Sequence, residues 1–262
     1  MDPRLRAPVP SAPLRPHRDP FGSAGAALAS SHPGMILAAV YDVDTGQEWS
    51  LGRGPAQAEA SVVKLDILET LLAHYRDVVS TLPAGDLASA QQMMGFSDNT
   101  AATALWFAAG GPGEIGSYNA TVGLRHTSLS QCVDCPEFPW PGWGLSTTTP
   151  EDQIALLRQL ISPRSLLTAS QRRYALRLME NVTPSQRWGV SGDVPPGVRV
   201  ALKNGWLPLD AAGDDWQVNS VGWISGDGRD YLTAVLTTGS ATEHDGIDLI
   251  DELTGIVWRN MR

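Results

Sequence analysis

The chain has 262 residues, a formal net charge of −9 and a pI near 4.9. This acidic balance argues against a nucleic-acid or anionic-membrane partner, because both carry negative charge. Hydrophobic residues make up 42% and charged residues 18% of the chain, which is typical of a globular protein. No apolar run approaches the roughly 20 residues of a membrane-spanning helix, so we expect no membrane span.

Residues 1–20 are rich in proline and arginine, and we expect them to form a disordered leader. They contain no apolar segment of the kind that a signal peptide needs. The sequence as written therefore predicts a cytoplasmic protein. A secreted protein is the alternative if a longer leader has been removed.

A hairpin and a series of helices follow in chain order. The apolar run 35–42, a turn at 44–46 and residues 47–51 predict the hairpin. Apolar periodicity, capping residues and terminal glycines predict the helices, which cover residues 61–76, 86–94, 99–109, 112–122, 150–160 and 170–181. Residues 125–146 show little periodicity and predict a long loop, a kind of segment that is often functional.

After Pro195-Pro196-Gly197 the pattern changes to strands. Three strands are expected over 198–206, 216–225 and 231–237, and a last helix over 244–259. Strands at both ends of the chain with helices between them predict an α+β fold. We expect an antiparallel sheet of about five strands, flanked by terminal helices. Residues 21–59 plus 198–262 would form the sheet subdomain, and 60–197 an inserted all-helical subdomain.

Ser61 and Lys64 lie three positions apart at the predicted start of a helix. Residues at this spacing share one helix face, so the lysine amine can reach the serine hydroxyl. A lysine whose pKa is lowered by its surroundings can then activate the serine as a nucleophile. Alone, the pair more often means a helix cap and a solvated charge.

Two further motifs follow in order. Ser97-Asp98-Asn99 precedes the helix 99–109 and by itself reads as an N-cap. Lys203-Asn204-Gly205 lies on the first strand after the helices, where a glycine allows close approach to the backbone.

Taken together, these three motifs resemble those of the penicillin-recognising serine hydrolases, meaning class A β-lactamases and penicillin-binding proteins. The resemblance extends over about residues 35–260. It includes residues 43–46 in the hairpin, 100–102 after the second motif, and 147–150 at a helix start. It implies the β-lactamase/transpeptidase-like version of the fold described above.

The resemblance also implies catalytic roles. Ser61 would be the acylated nucleophile and Lys64 the general base. Ser97 would relay a proton to the leaving group. Lys203 would add positive potential near Lys64 and Ser97 and attract a substrate carboxylate. A second cation near Lys64 would help to keep it neutral and basic.

The implied substrate contacts are Asn99, Asn204, Gly205 and Trp206. Asn99 would hydrogen-bond the substrate amide and the lysine base. The backbone N–H groups of Ser61 and Trp206 would form the oxyanion hole.

Three departures from the class A pattern bear on the substrate. The register of the deacylating glutamate falls on Val133, with Asp134 and Glu137 nearby as possible deacylation residues. Asn204 replaces the usual Thr or Ser, and the bulky Trp206 follows the glycine. The predicted strand 216–225 carries no arginine, where many class A enzymes hold the substrate carboxylate.

The only cysteines are Cys132 and Cys135. No second Cys or His pair completes a zinc site, and the prolines that follow disfavour a redox helix, so a loop disulfide or two free thiols remain. The five histidines show no metal spacing, and no phosphate-binding or dinucleotide motif is present, so we expect no metal or cofactor.

The sequence thus predicts a serine acyl hydrolase that works through an acyl-enzyme on Ser61. Its substrate would be a small-molecule or peptide amide or ester, a class that includes β-lactams, and the chain would act as a monomer. The alternatives are an intracellular acyltransferase that tailors a small metabolite, and a catalytically silent binding module that keeps the fold. Nine tryptophans exceed what the core needs, and we expect several to line a pocket.

Overall fold

The structure, a computed structural model, describes residues 18–75, 81–136, 140–209 and 215–262. The helices are α1 (Gly22–Ser31), α2 (Lys64–His74), α3 (Ala84–Gly95), α4 (Asn99–Ala108), α5 (Gly111–Val122), α6 (Pro150–Ile161), α7 (Ala169–Glu180) and α8 (Glu243–Asn260). Short 3-10 turns cover Ala60–Val63, Gly142–Leu145 and Pro184–Gln186. Among the described helices, none is both long and apolar enough to cross a membrane.

The main sheet has five antiparallel strands, which confirms the predicted fold class. The strands are β1 (Ile36–Asp42), β2 (Glu48–Leu51), β5 (Arg199–Pro208), β6 (Trp216–Gly226) and β7 (Arg229–Ser240). Their order is β2-β1-β7-β6-β5, so β1 from the start of the chain pairs with β7 from its end. This leaves β5, which carries the third motif, at one edge of the sheet.

Each face of the sheet has its own apolar cluster, because alternate side chains of a strand point to opposite faces. On β1, Ala38 and Val40 pack with the terminal helices, α8 and the residues around α1. Ala39 between them packs with the inserted helices. The described residues thus form three layers: terminal helices, sheet and helical block.

Helix α2 lies at the centre of the helical block. All residues from Lys64 through Leu72 are buried. A helix that is buried on every side belongs to a domain core rather than to its surface. Because the whole helix is packed in the core, the position of its first residue, Lys64, is fixed as well.

Several details differ from the sequence prediction. The helix predicted over 61–76 begins as the 3-10 turn Ala60–Val63, and its α-helical part ends at His74. A second sheet, β3 (Gln57–Ala58) with β4 (Thr147–Thr148), was not predicted. It connects the chain just before the nucleophile to the end of the long loop.

The leader predicted over 1–20 lies mostly outside the described residues. Within them, Asp19 caps the Phe21 N–H at 2.9 Å, and the Pro20 carbonyl accepts a hydrogen bond from Asn260 of α8. The end of the predicted leader is therefore attached to the fold at Pro20. The division into subdomains at residues 60 and 197 stays a prediction.

Candidate active site

Ser61 lies in the 3-10 turn that leads into α2, and Lys64 is the first residue of α2. The Lys64 Nζ is 2.8 Å from the Ser61 Oγ, as the spacing of the pair predicts. Ala60, just before the serine, has a φ of 50°, a left-handed conformation that is rare for a residue with a side chain. Strain of this kind often accompanies functional sites, where the surrounding structure holds it in place.

The amine of Lys64 is surrounded by oxygen atoms. Besides Ser61 Oγ, it contacts the Ser97 carbonyl at 2.6 Å, the Ser97 Oγ at 3.0 Å and the Asn99 Oδ1 at 2.7 Å. The second motif therefore meets the first around one nitrogen atom. Lys64 is fully buried, and burial lowers its pKa to about 7, although the nearby charge of Asp98 acts in the opposite direction.

The second motif owes its shape to a helix cap and a strained residue. Asp98 is the N-cap of α4 and accepts a hydrogen bond from the Ala101 N–H at 2.6 Å. The residue before it, Ser97, has a φ of 58°. The cap thus fixes the helix start, and the unusual backbone directs both the carbonyl and the hydroxyl of Ser97 to Lys64.

Lys203 reaches the same hydroxyl from the sheet. Its Nζ lies 3.0 Å from Ser97 Oγ and 2.6 Å from the Asn204 carbonyl. Burial lowers the pKa of Lys203 well below its usual value, and the neighbouring charge of Lys64 lowers it further. The Ser97 hydroxyl therefore contacts the amines of two buried lysines.

Gly205 allows the edge strand β5 to pass directly beside the nucleophile turn. A Cβ atom at Gly205 would lie 2.6 Å from the Ser61 nitrogen and 2.8 Å from the Val62 nitrogen. Asn219 of β6 closes the same junction by donating to the carbonyls of Ala58 and Glu59. The glycine is thus required for the approach of two backbone segments, which also brings the next residue of β5, Trp206, to the site.

Asn204 is held away from the other site residues. Its Nδ2 donates to the carbonyls of Gln186 and Trp188, and its Oδ1 accepts from Ser220 Oγ at 2.6 Å. The side chain is buried and anchors the segment at 186–188 to the sheet. The structure therefore gives Asn204 a different set of partners from the substrate contact expected from the sequence.

The two residues considered for deacylation are not brought to Ser61 by the described structure. Asp134 is exposed and borders a separate surface hollow with Val133 and Pro136. Glu137 lies outside the described residues. Cys132 and Cys135, on either side of Asp134, form a disulfide, which decides between the two forms considered for the cysteines.

The cleft above Ser61 has a volume of about 350 Å³ and an aromatic lining that the motifs did not reveal. Its lining residues are Ala60, Ser61, Phe96, Ser97, Asn99, Trp140, Trp143, Gly144, Gln186, Trp206, Leu207, Pro208 and Trp216. Of these, Trp143 also contacts the base, because its ring centroid lies 5.0 Å from Lys64 Nζ. The excess of tryptophan was the only signal for this lining in the sequence, and it did not say which tryptophans were involved.

A buried acidic cluster behind the nucleophile was also not predicted. Glu59, Asp66 and Glu69 are completely buried around α2. Tyr118 donates to Glu69 at 2.9 Å and Asn119 donates to Asp66 at 2.7 Å. Burial raises the pKa of all three carboxyls, that of Asp66 to about 7. Among the described residues, no cluster of His, Cys, Asp and Glu has a geometry that would hold a metal ion.

Comparisons with known proteins agree with this architecture. A class A β-lactamase from Bacteroides cellulosilyticus DSM 14838 superposes with a TM-score of 0.76 at 17% identity, covering 93% of this chain and 98% of that one. The extended-spectrum β-lactamase TLA-1 gives a TM-score of 0.79 at 17% identity, covering 92% and 97%. The ancestral class A β-lactamase GNCA gives 0.73 at 22% identity, covering 91% and 99%. At such low identity these structures show a shared fold.

The family itself is shown by a sequence model. The model described as the beta-lactamase enzyme family matches residues 70–261, which is 192 of the 262 residues. The match includes Ser97, Asn99 and Lys203 and begins after Ser61 and Lys64. Hydrogen bonds of Lys64 connect this earlier pair to Ser97 and Asn99. The chain therefore belongs to the beta-lactamase enzyme family and is a serine hydrolase.

Proposed function

We propose that this protein hydrolyses β-lactams or similar activated cyclic amides through an acyl-enzyme on Ser61. The observation that carries the proposal is the contact of 2.8 Å between Ser61 Oγ and the buried Lys64, whose pKa is lowered to about 7. A neutral amine has a lone pair that can accept the serine proton, whereas an ammonium group has only donors. Near neutral pH, a large part of the enzyme then carries an active base.

Acylation would proceed in two steps. In the first, Ser61 Oγ bonds to the substrate carbonyl carbon as Lys64 takes its proton, and the oxyanion is stabilised by the N–H groups of Ser61 and Trp206. In the second, the carbon–nitrogen bond breaks and Ser97 gives its proton to the leaving nitrogen. Lys64 then returns the proton to Ser97, so the base is neutral again.

Deacylation would use the same base. The residues described by the structure place no carboxylate in the cleft lining, so the regenerated neutral Lys64 is the group that can take a proton from an attacking water. Collapse of the second tetrahedral intermediate breaks the ester bond, and Ser61 recovers its proton from Lys64. A contribution from Glu137 is the alternative that the sequence suggests, while Asp134 would require movement of its loop.

Other aspects of the prediction stay proposals. The family disfavours both the acyltransferase and the silent binding module. We propose a monomer that acts on a small substrate. The disulfide between Cys132 and Cys135 favours the secreted alternative, because disulfides persist mainly in oxidising compartments.

The proposal is tested by intact-mass spectrometry of the protein incubated with a β-lactam. Ring opening retains all substrate atoms, so acylation adds the full mass of the compound to the chain. We expect this adduct on the wild type and on Ser117→Ala, an exposed serine of α5, and none on Ser61→Ala. Absence of both an adduct and turnover of the β-lactam, or an equal adduct on Ser61→Ala, would contradict the mechanism.

A further inference from the structure

The cleft above Ser61 is lined by several tryptophan side chains. Trp140 and Trp143 stack with centroids 5.9 Å apart and planes at 14° on the loop side. Trp206 meets Trp188 at 5.8 Å and 59° on the sheet side. Trp216 completes this wall. Tryptophan side chains from both the loop and the sheet therefore line the cleft above Ser61, which we call the slot.

The rim of the slot is also aromatic. Phe96, directly before the relay serine, is 61% exposed and lines the cleft. Large exposed aromatic side chains in a contiguous apolar surface usually mark a binding site. Phe96 thus extends the aromatic surface from the buried slot to the solvent.

The described residues that line the slot carry no positive charge. None of the thirteen lining residues is lysine, arginine or histidine. Lys203 is buried behind Ser97, with its amine already hydrogen-bonded to Ser97 and to the Asn204 carbonyl. A carboxylate that entered this slot would lose its hydration without gaining an exposed cation. The net charge of −9 also disfavours the approach of an anion.

The polar groups that remain are neutral. Gln186 lines the slot while its main-chain carbonyl is held by Asn204, so its position is fixed from behind. Asn99 contacts Lys64 through its oxygen, which leaves the amide nitrogen directed to other acceptors. Amides of this kind recognise carbonyl and N–H groups rather than charges.

From these observations we infer that the cleft selects neutral substrates whose acyl part carries a flat aromatic group, and that a substrate carboxylate is dispensable. The inference rests on the proposed acyl-enzyme at Ser61 and specifies its substrate class. The aromatic group would lie between the walls formed by Trp140 and Trp206. Gln186 would pair with an amide of the substrate.

The test compares acylation rates within two matched pairs of β-lactams. One pair differs only in a phenylacetyl or acetyl substituent, and the other only in a carboxylate or carboxamide on the ring. The second-order rate constant of acylation is followed by intact mass. We expect the phenyl compound to react at least about tenfold faster, because several added carbons enter an apolar pocket. The carboxamide should react at least as fast as the carboxylate, because a carboxylate would lose its hydration in the slot without gaining a cation.

Substitutions of the slot tryptophans test whether the slot causes the preference for the phenyl compound. Trp206→Leu and Trp216→Leu should each bring the phenyl-to-methyl ratio down toward one. Trp49→Leu, on β2 at the opposite edge of the sheet, should leave it unchanged. Circular dichroism and thermal unfolding establish that each variant is folded.

The outcomes separate the two proposals. A phenyl-to-methyl ratio near one in the wild type, or a carboxamide that reacts more slowly than the carboxylate, overturns the inference about substrate class while acylation of Ser61 stands. Equal ratios in the wild type and both slot variants overturn it too. Failure of every compound to acylate Ser61 overturns the proposed function and this inference with it.

Discussion

The protonation state of Lys64 governs the rate at which Ser61 reacts. With its pKa lowered to about 7, we expect the rate of acylation to rise with pH to a plateau, with its midpoint near that value. About a tenth of the lysine is neutral one pH unit below the midpoint and about nine-tenths one unit above it, so the rate should rise about tenfold across this range. The measurement is the acylation rate constant from intact-mass time courses at constant ionic strength.

Substitution of Asp98 moves this profile in a defined direction. The negative charge of Asp98 raises the pKa of Lys64, so Asp98→Asn should move the midpoint to lower pH and leave the plateau unchanged. Asparagine is as good an N-cap as aspartate, and its side-chain oxygen can still accept from Ala101. At a fixed pH well below the midpoint, the acylation rate of the variant should exceed that of the wild type about tenfold for each pH unit by which the midpoint falls.

A matched control removes a charge without touching the site. Asp86→Asn, at a half-buried position in the first turn of α3, should leave the midpoint where it is in the wild type. Two results would refute the reasoning: a wild-type profile that is flat between one pH unit below and one above the expected midpoint, or a midpoint that moves to higher pH in Asp98→Asn. Either would mean that Lys64 does not act as a neutral base.

Three further predictions concern the glycine, the buried acids and the disulfide. Gly205→Ala should abolish acylation and lower stability by about 1–3 kcal/mol in urea unfolding, because its Cβ would meet backbone, whereas Gly116→Ala, with open space in α5, should do neither. Burial raises the pKa of Glu69 far above 4.5, so its contribution to stability is lost as pH rises through the raised value; Glu69→Gln should flatten this decline in thermal unfolding. Reduction of Cys132–Cys135 should lower the free energy of unfolding by at most about 2 kcal/mol, since the closed loop is short.

The regular elements could be predicted because their signals are local. The strands of the hairpin and the three late strands carry apolar alternation bounded by turn residues, and each was found within a few residues of its expected place. The small sheet of Gln57–Ala58 with Thr147–Thr148 carries no such signal. Each of its strands has two residues, and the partners are separated by about ninety positions, so only the tertiary structure brings them together.

The site also combines a local contact that the sequence predicts with contacts that only the tertiary structure creates. The distance between Ser61 and Lys64 follows from helix geometry, and the sequence predicted it. The direction of the Asn204 side chain depends instead on the carbonyls at 186 and 188, which lie outside the motif and before the strand that carries it. The place of Trp143 beside Lys64 likewise depends on how the long loop folds back over the nucleophile turn. Motif spacing gave no information on either contact.

The surroundings of Lys64 explain why one lysine can serve as a base at neutral pH. Its hydrogen-bond partners Ser61, Ser97 and Asn99 accept through neutral oxygen atoms. Lys203 adds a second amine on the far side of Ser97. Burial destabilises the charged ammonium form of Lys64, because none of these hydrogen-bond partners is a carboxylate that would compensate the charge. The fold therefore stabilises the state that catalysis needs, and a carboxylate placed among these partners would increase the positive charge of Lys64 and slow the attack of the serine.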